Sequence, residues 1–186
     1  MIRVGDHDWR VVVGSGHSPE HACLVCDDLS LMISGDQVLE KISSNVSVMP
    51  VEPLANPLHE WMQSLRRLRA GLSDELLVLP SHDLPFNGLH RRLDELIGHH
   101  ESGLQRLISR LEQPARAVDL MEFFFRRRLT ESMMHLAVGE LGAHLNYLEA
   151  AGVICRRVDT RGVAWFSVIS ESATDGAPTG GSTGEE

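Results

Sequence analysis

Between Trp9 and Leu79 the chain alternates short apolar runs rich in β-branched residues with turn signals and one segment of helical period, an order that restricts it to a sheet with helices laid against it. Residues 9–13, 22–26 and 29–33 are the first three runs, separated by Gly14-Ser15-Gly16 and Asp27-Asp28, and each is predicted as a strand. Residues 58–70 then place Leu58, Trp61, Met62, Leu65 and Leu68 on one helical face, with Arg66, Arg67 and Arg69 off it. Residues 76–79 form a brief apolar run closed by Pro80, a predicted buried strand that delivers Ser81-His82-Asp83 to its C-terminal end. From 88 to 112 the residues Leu89, Leu93, Leu96, Ile97, Leu104, Leu107, Ile108 and Leu111 keep a 3.6-residue period, which Pro114 stops.

After Pro114 the pattern changes. A helix over 117–125, a polar break over 126–132 and a helix over 133–151 precede two strands joined around Asp159-Thr160-Arg161-Gly162, the outline of a winged helix. Residues 170–186 hold only small, polar, Pro and acidic residues and are predicted to be a disordered acidic tail. Three segments result: 1–113, an α/β unit; 114–169, a small α+β winged-helix-like module; and 170–186, the tail.

Charge follows the same divisions. The chain carries a net charge of -9, with 10 Lys/Arg against 16 Asp/Glu in residues 1–113, 7 against 6 in 114–169, and 0 against 4 in the tail. An acidic chain is not built mainly to hold nucleic acid or an anionic membrane. The helix over 133–151 contains Glu140 and Glu149 and no Lys or Arg, so DNA is not expected as a partner, and RNA is left for a hairpin bearing Arg156, Arg157 and Arg161. Three cysteines form no even disulfide framework, no apolar signal core precedes Trp9, and no run approaches a membrane span, so a cytoplasmic setting and no membrane partner are expected.

Three loops beside strand ends offer side chains that ligate zinc or iron: His17, Asp36 and His82. Other signals are weaker. Cys23 and Cys26 have knuckle spacing, but residues three apart in a strand face opposite ways. Gly14-Ser15-Gly16 lacks the third glycine of a dinucleotide loop, and no Gly-x-Ser-x-Gly elbow exists for a serine nucleophile. His99, His100 and Glu101 are expected to be solvated, and Phe123-Phe124-Phe125 to pack the C-terminal module.

The order and wording of the three loops resemble the later motifs of the metallo-β-lactamase superfamily. Trp9-Arg10-Val11-Val12 leading into Gly16-His17-Ser18-Pro19-Glu20-His21 is similar to the strand and histidine of the family's third motif. Ser34-Gly35-Asp36 is similar to the segment with the metal-bridging aspartate, and Leu79-Pro80-Ser81-His82 with Pro85-Phe86 to the final histidine motif. Ile42-Ser43-Ser44-Asn45-Val46-Ser47-Val48 resembles the loop after that aspartate in a glyoxalase-II-like branch. The resemblance covers 2–113 and implies the C-terminal half of an αββα sandwich and a two-zinc hydrolase. It makes His17 a ligand of the first metal, Asp36 the bridge and His82 a ligand of the second, with His21 orienting a ligand or touching substrate.

The family's earlier His-x-His-x-Asp-His motif, which supplies two further ligands to each metal, does not occur in the 186 residues, and Asp83 stands where relatives often have glycine. The expectation is therefore a hydrolase lineage acting on a small-molecule thioester, lactam, lactone, ester or phosphodiester, incomplete as this chain. Self-association, a complementary N-terminal half, or a start codon upstream of Met1 would account for the missing part. The alternative expectation is a non-enzymatic remnant or a partner-binding subunit that uses the winged helix.

Overall fold

A computed structural model describes residues 1–125 and 129–169. Five strands, β1 (Ile2–Val4), β2 (His7–Gly14), β3 (His21–Cys26), β4 (Leu31–Gly35) and β5 (Leu77–Pro80), form one sheet in chain order. The first four pair antiparallel, and β5 joins β4 in parallel after a crossover through α1 (Pro57–Gly71). Then come α2 (Leu89–Arg110), α3 (Ala117–Phe125), α4 (Glu131–Ala150) and the antiparallel hairpin β6 (Ile154–Val158) and β7 (Ala164–Val168). The mixed α/β architecture agrees with the sequence reading. One strand departs from it: the apolar pattern starts the sheet at Trp9, but Gly5, with φ of 59°, turns a short hairpin that adds β1. The expected tail at 170–186 lies outside the described residues, as does part of the polar break, 126–128.

The sheet has one covered and one open face. The register aligns Arg10, Val25, Met32 and Val78 in a row, and the last three are fully buried beneath the helices. The neighbouring row, Val11, Leu24, Ile33 and Leu79, points the other way. There Val13 is 50% and Ile33 39% exposed, beside exposed Ile2, Val4 and Val11. A sheet apolar on both sides is made to be buried on both.

On the covered side α1 buries Leu58, Trp61, Met62, Leu65 and Leu68, as its periodicity predicts. It starts at Asn56, whose side chain accepts the His59 amide 3.3 Å away, with Pro57 in the first turn. Outer ion pairs Arg66–Glu101 and Arg69–Asp94 join it to α2, though exposed pairs of this kind contribute little. The buried cluster does not divide at residue 113: Val25, Met32, Leu93 and Leu107 belong to the same cluster as Leu120, Leu141, Ile154 and Phe166.

His99 and Glu101 are exposed as expected, but His100 is only 1% exposed. It lies on the stripe Leu93, Leu96, His100, Leu104, Leu107, where the i+3/i+4 spacing puts it inside. His144 Nδ1 donates to the Glu140 carbonyl at 2.8 Å, which leaves its Nε2 to accept from His100 Nδ1 at 3.2 Å. His100 Nε2 then accepts from the Ser43 hydroxyl at 3.3 Å, so one run of neutral hydrogen bonds ties the loop after β4 to α2 and α4. Burial pushes His100 down to about 3 and His144 to about 4.

Replacing Val13 and Ile33 together by lysine is expected to lower self-association and apolar-dye binding with little change in the unfolding midpoint, whereas Val25→Ala costs about 2 kcal/mol; size-exclusion light scattering and thermal unfolding check both. Because both buried imidazoles titrate below the unfolded value near 6.5, their stabilisation is complete above that pH and declines as pH falls towards 4, by about 1 kcal/mol per histidine per pH unit. The double variant His100→Leu, His144→Leu should flatten that acid limb in urea titrations.

Candidate metal centre

Strand direction gathers the candidate ligands. β2 and β4 are each antiparallel to β3, so they run the same way, and β5 is parallel to β4. The C-terminal ends of β2, β4 and β5 therefore lie along one edge of the sheet. His17 follows β2, Asp36 follows β4, and His82 follows β5. Function-bearing loops commonly sit at such an edge because a rigid ladder positions them.

At that edge the Asp36 carboxylate lies between two imidazoles. His17 Nε2 is 3.8 Å from Oδ2, and His82 Nε2 is 3.3 Å from Oδ1. Ser81 also donates its hydroxyl to Oδ1 at 2.6 Å, and Ser44 donates to the Asp36 carbonyl. His17 Nδ1 lies 2.8 Å from the Asn45 carbonyl oxygen, and since that oxygen only accepts, Nδ1 carries the proton. In the neutral ring Nε2 is then a lone pair facing a carboxylate oxygen. Two acceptors in that position call for a cation or a further proton between them, and the donor set of imidazole nitrogen and carboxylate oxygen suits zinc.

The set is nevertheless partial. His17 faces one carboxylate oxygen and His82 the other, and among the described residues no three His, Cys, Asp or Glu side chains are disposed around one ion position. His82 is the most open, with its side chain 64% exposed, against 31% for His17 and 30% for Asp36.

His21 does not join the three candidate ligands. Its ring is 6.1 Å from that of His17, and its Nε2 donates to the Ser34 carbonyl at 3.1 Å. The Cys23 thiol, which burial raises to about 12, points to the same carbonyl. These contacts hold the end of β4, where Gly35 has φ of 54° and a Cβ would come within 2.5 Å of His21 Nε2. The ring thus packs on the turn that aims Asp36, a positioning role. Gly16, at φ of 103°, similarly lets the His17 loop lie against Trp61, 2.5 Å from where its Cβ would be. Buried Gln37 donates to Ser64 on α1 at 3.2 Å and fixes the other side of the Asp36 turn.

The structure adds Ser81, Ser44 and Asn45 to the site. All three stand within the loop motifs of the sequence, but a serine hydroxyl or a backbone carbonyl carries no spacing signal. Cys23 and Cys26 lie in the unbroken strand β3, where residues three apart face opposite ways.

Residues 104–169 match the family described as "Metallo-beta-lactamase-like, C-terminal domain". The chain is 41% identical to a beta-lactamase domain protein from Burkholderia ambifaria whose crystal structure superposes with a TM-score of 0.86, over 90% of this chain and 50% of that one. A metallo-beta-lactamase family protein from Thermus thermophilus is 28% identical with a TM-score of 0.73, over 89% of this chain and 53% of that one. The "Lactamase-like protein nscB" of Neosartorya fischeri is 32% identical over 110 residues, 59% of this chain and 30% of that protein. The chain thus spans about half the length of these solved structures and under a third of the curated relative.

Asp83 adopts φ of +66°, the left-handed region that favours glycine. Asp83→Gly should therefore leave stability unchanged or raise it by up to ~1 kcal/mol, while Asp83→Val should lower it by ~1–2 kcal/mol, both read by urea unfolding. His21→Ala is expected to weaken zinc binding by roughly 10-fold through loss of orientation, with less effect than Asp36→Ala, as measured by chelator competition.

Proposed function

We propose that this chain, which belongs to the metallo-β-lactamase superfamily and carries its C-terminal portion, supplies one half of the two-metal site of a hydrolase. Its lineage is metal-dependent and hydrolytic, and the family's metal is usually zinc. The observation that carries the reading is the Asp36 carboxylate with a separate imidazole facing each oxygen. In that reading His17 would help hold one metal, His82 the other, and Asp36 would serve both. Bound zinc would make hydroxide available at neutral pH and polarise a carbonyl or phosphoryl oxygen.

The chain's own groups set the geometry. The Asn45 carbonyl fixes which His17 nitrogen is free, Ser81 holds one Asp36 oxygen, and His21 steadies the turn beneath. Each metal needs further ligands, and a His-x-His-x-Asp-His segment, joined upstream or carried by another chain, is the donor set that completes both. The open apolar face of the sheet is the surface against which such an N-terminal half would rest. The substrate class is a small molecule with an ester, thioester, lactam, lactone or phosphodiester bond.

Residues 114–169 are taken as a winged-helix-like module that packs this half rather than binding DNA. Helix α4 has no Lys or Arg. In the hairpin, Arg156 is engaged by Asn146 at 2.8 Å and Glu149 at 2.7 Å, leaving Arg157 and Arg161 for any RNA phosphate. No helix among the described residues is long and apolar enough to cross a membrane.

The test compares the 186-residue chain with a form completed by a His-x-His-x-Asp-His segment, both given zinc and assayed on thioester, lactone and phosphodiester panels. The chain alone should bind zinc weakly and turn over poorly. The completed form should be active, and Asp36→Ala or His82→Ala should abolish that activity. Equal turnover by the two forms, lost on His82→Ala, would overturn the half-site.

A further inference from the structure

An apolar groove of about 660 Å³ runs between residues 45–53 and the first half of α4. Val48, Met49 and Pro50 form one wall and Leu136 and Val138 the other, over a floor of Gly139 and Gly142. Met49, Leu136 and Val138 are each about half exposed, which is costly for large apolar side chains grouped together. The volume lies within the range that small-molecule sites occupy.

Two observations connect the groove to the metal edge. Asn45 gives its backbone carbonyl to His17 Nδ1, while its side-chain amide reaches the Leu136 carbonyl at 3.4 Å. Two residues on, Ser47 donates to the same carbonyl at 3.3 Å, and the Val48 amide donates to the Gly139 carbonyl at 3.0 Å. The segment that orients His17 is therefore also stitched along α4 as the groove's wall. In addition, a smaller cleft of about 170 Å³ is lined by His17 and shares Ser47 and Met49 with the groove. The His17 cleft and the apolar groove therefore adjoin at Ser47 and Met49.

We propose that this groove holds the apolar part of the substrate, so that the substrates are esters or thioesters carrying an extended apolar acyl or ring system, with the hydrolysable bond beside His17 and Asp36. This rests on the hydrolase reading of that edge. The occupant is a small molecule because the groove shares Ser47 and Met49 with the cleft that His17 lines, within reach of the reacting end. The chain's own C-terminal sequence, 170–186, has no large apolar side chain to fill it. Helix α4 is shaped for the task. A Cβ on Gly139 would meet Ser47 at 2.7 Å, so glycine lets the wall approach, whereas a Cβ on Gly142 meets Val48 only at 3.7 Å. Gly142 is thus the place where a larger side chain fills the groove without moving the backbone.

The experiment titrates the full chain with S-alkyl thioether analogues of N-acetylcysteamine, from four to twelve carbons, by calorimetry, and measures zinc binding separately. Affinity should rise about fourfold for each added methylene until the groove is full. Gly142→Leu and, independently, Val138→Glu should each weaken the ten-carbon probe by roughly 10-fold or more, while the four-carbon probe and zinc binding stay unchanged. Asp36→Ala should do the reverse, weakening zinc and sparing the probes. Affinity indifferent to chain length, or to both groove substitutions, overturns the proposal. So does a concentration-dependent dimer that Gly142→Leu abolishes in the absence of probe binding, which would assign the groove to a second copy. Loss of zinc binding alone would count against the hydrolase reading and leave the groove standing.

Discussion

The pairing of Met32 with Val25 on one side and with Val78 on the other decides what the rest of the molecule does. These three side chains are fully buried beneath the helices, so a slip of one residue would expose them and bury the alternate row. With register fixed, the strand ends are fixed too. Gly35 falls where the chain must turn, Asp36 comes immediately after it, and the parallel entry of β5 places Ser81 and His82 across from it. The short reach from the Asp36 carboxylate to two imidazoles is a consequence of apolar packing several residues away.

Two groups of histidines on this frame illustrate opposite answers to the same chemistry. His100 and His144 are inside, and every imidazole nitrogen has a partner of the right kind: a hydroxyl donor, a ring nitrogen, a backbone carbonyl. Neutral rings in a complete run of hydrogen bonds can stay buried without a counter-charge. At the sheet edge, the assigned tautomer of His17 turns a lone pair towards a carboxylate, and no donor among the described residues is placed between them. The first arrangement is closed and structural. The second is left open to a cation, and that difference is the reason for reading it as a site.

The sequence made the edge readable because the three candidate ligands each follow an apolar run that reads as a strand, and strand direction then brings them to one edge. Helices α1 and α2 were legible from their period, and α3 has the bounds its sequence predicts. What escaped had weaker marks. β1 is three residues long and exposed, and the alternation in Ile2-Arg3-Val4 is too short to announce a strand. Residue type alone suggests a solvated His100, whereas its place on the α2 stripe, bracketed by Leu96 and Leu104 at the right spacing, puts it inside. The hydrogen bonds of Ser44, Ser81 and the Asn45 carbonyl depend on how an irregular loop folds back, which no period encodes.

That irregular loop, between β4 and α1, is where the separate parts of the molecule meet. Its first residues turn Asp36 outward, its middle hands a carbonyl to His17 and a hydroxyl to His100, and its later residues lie along α4. Backbone in a connection this long is held only if its polar groups are matched, and here the matches are made to His17, to the core pair and to a helix in turn. A displacement of α4 would therefore be felt at the Asn45 carbonyl and, through it, at the ring whose free nitrogen faces Asp36. The C-terminal helices thus do more than cover a sheet: they brace the loop whose Asn45 carbonyl orients the His17 ring.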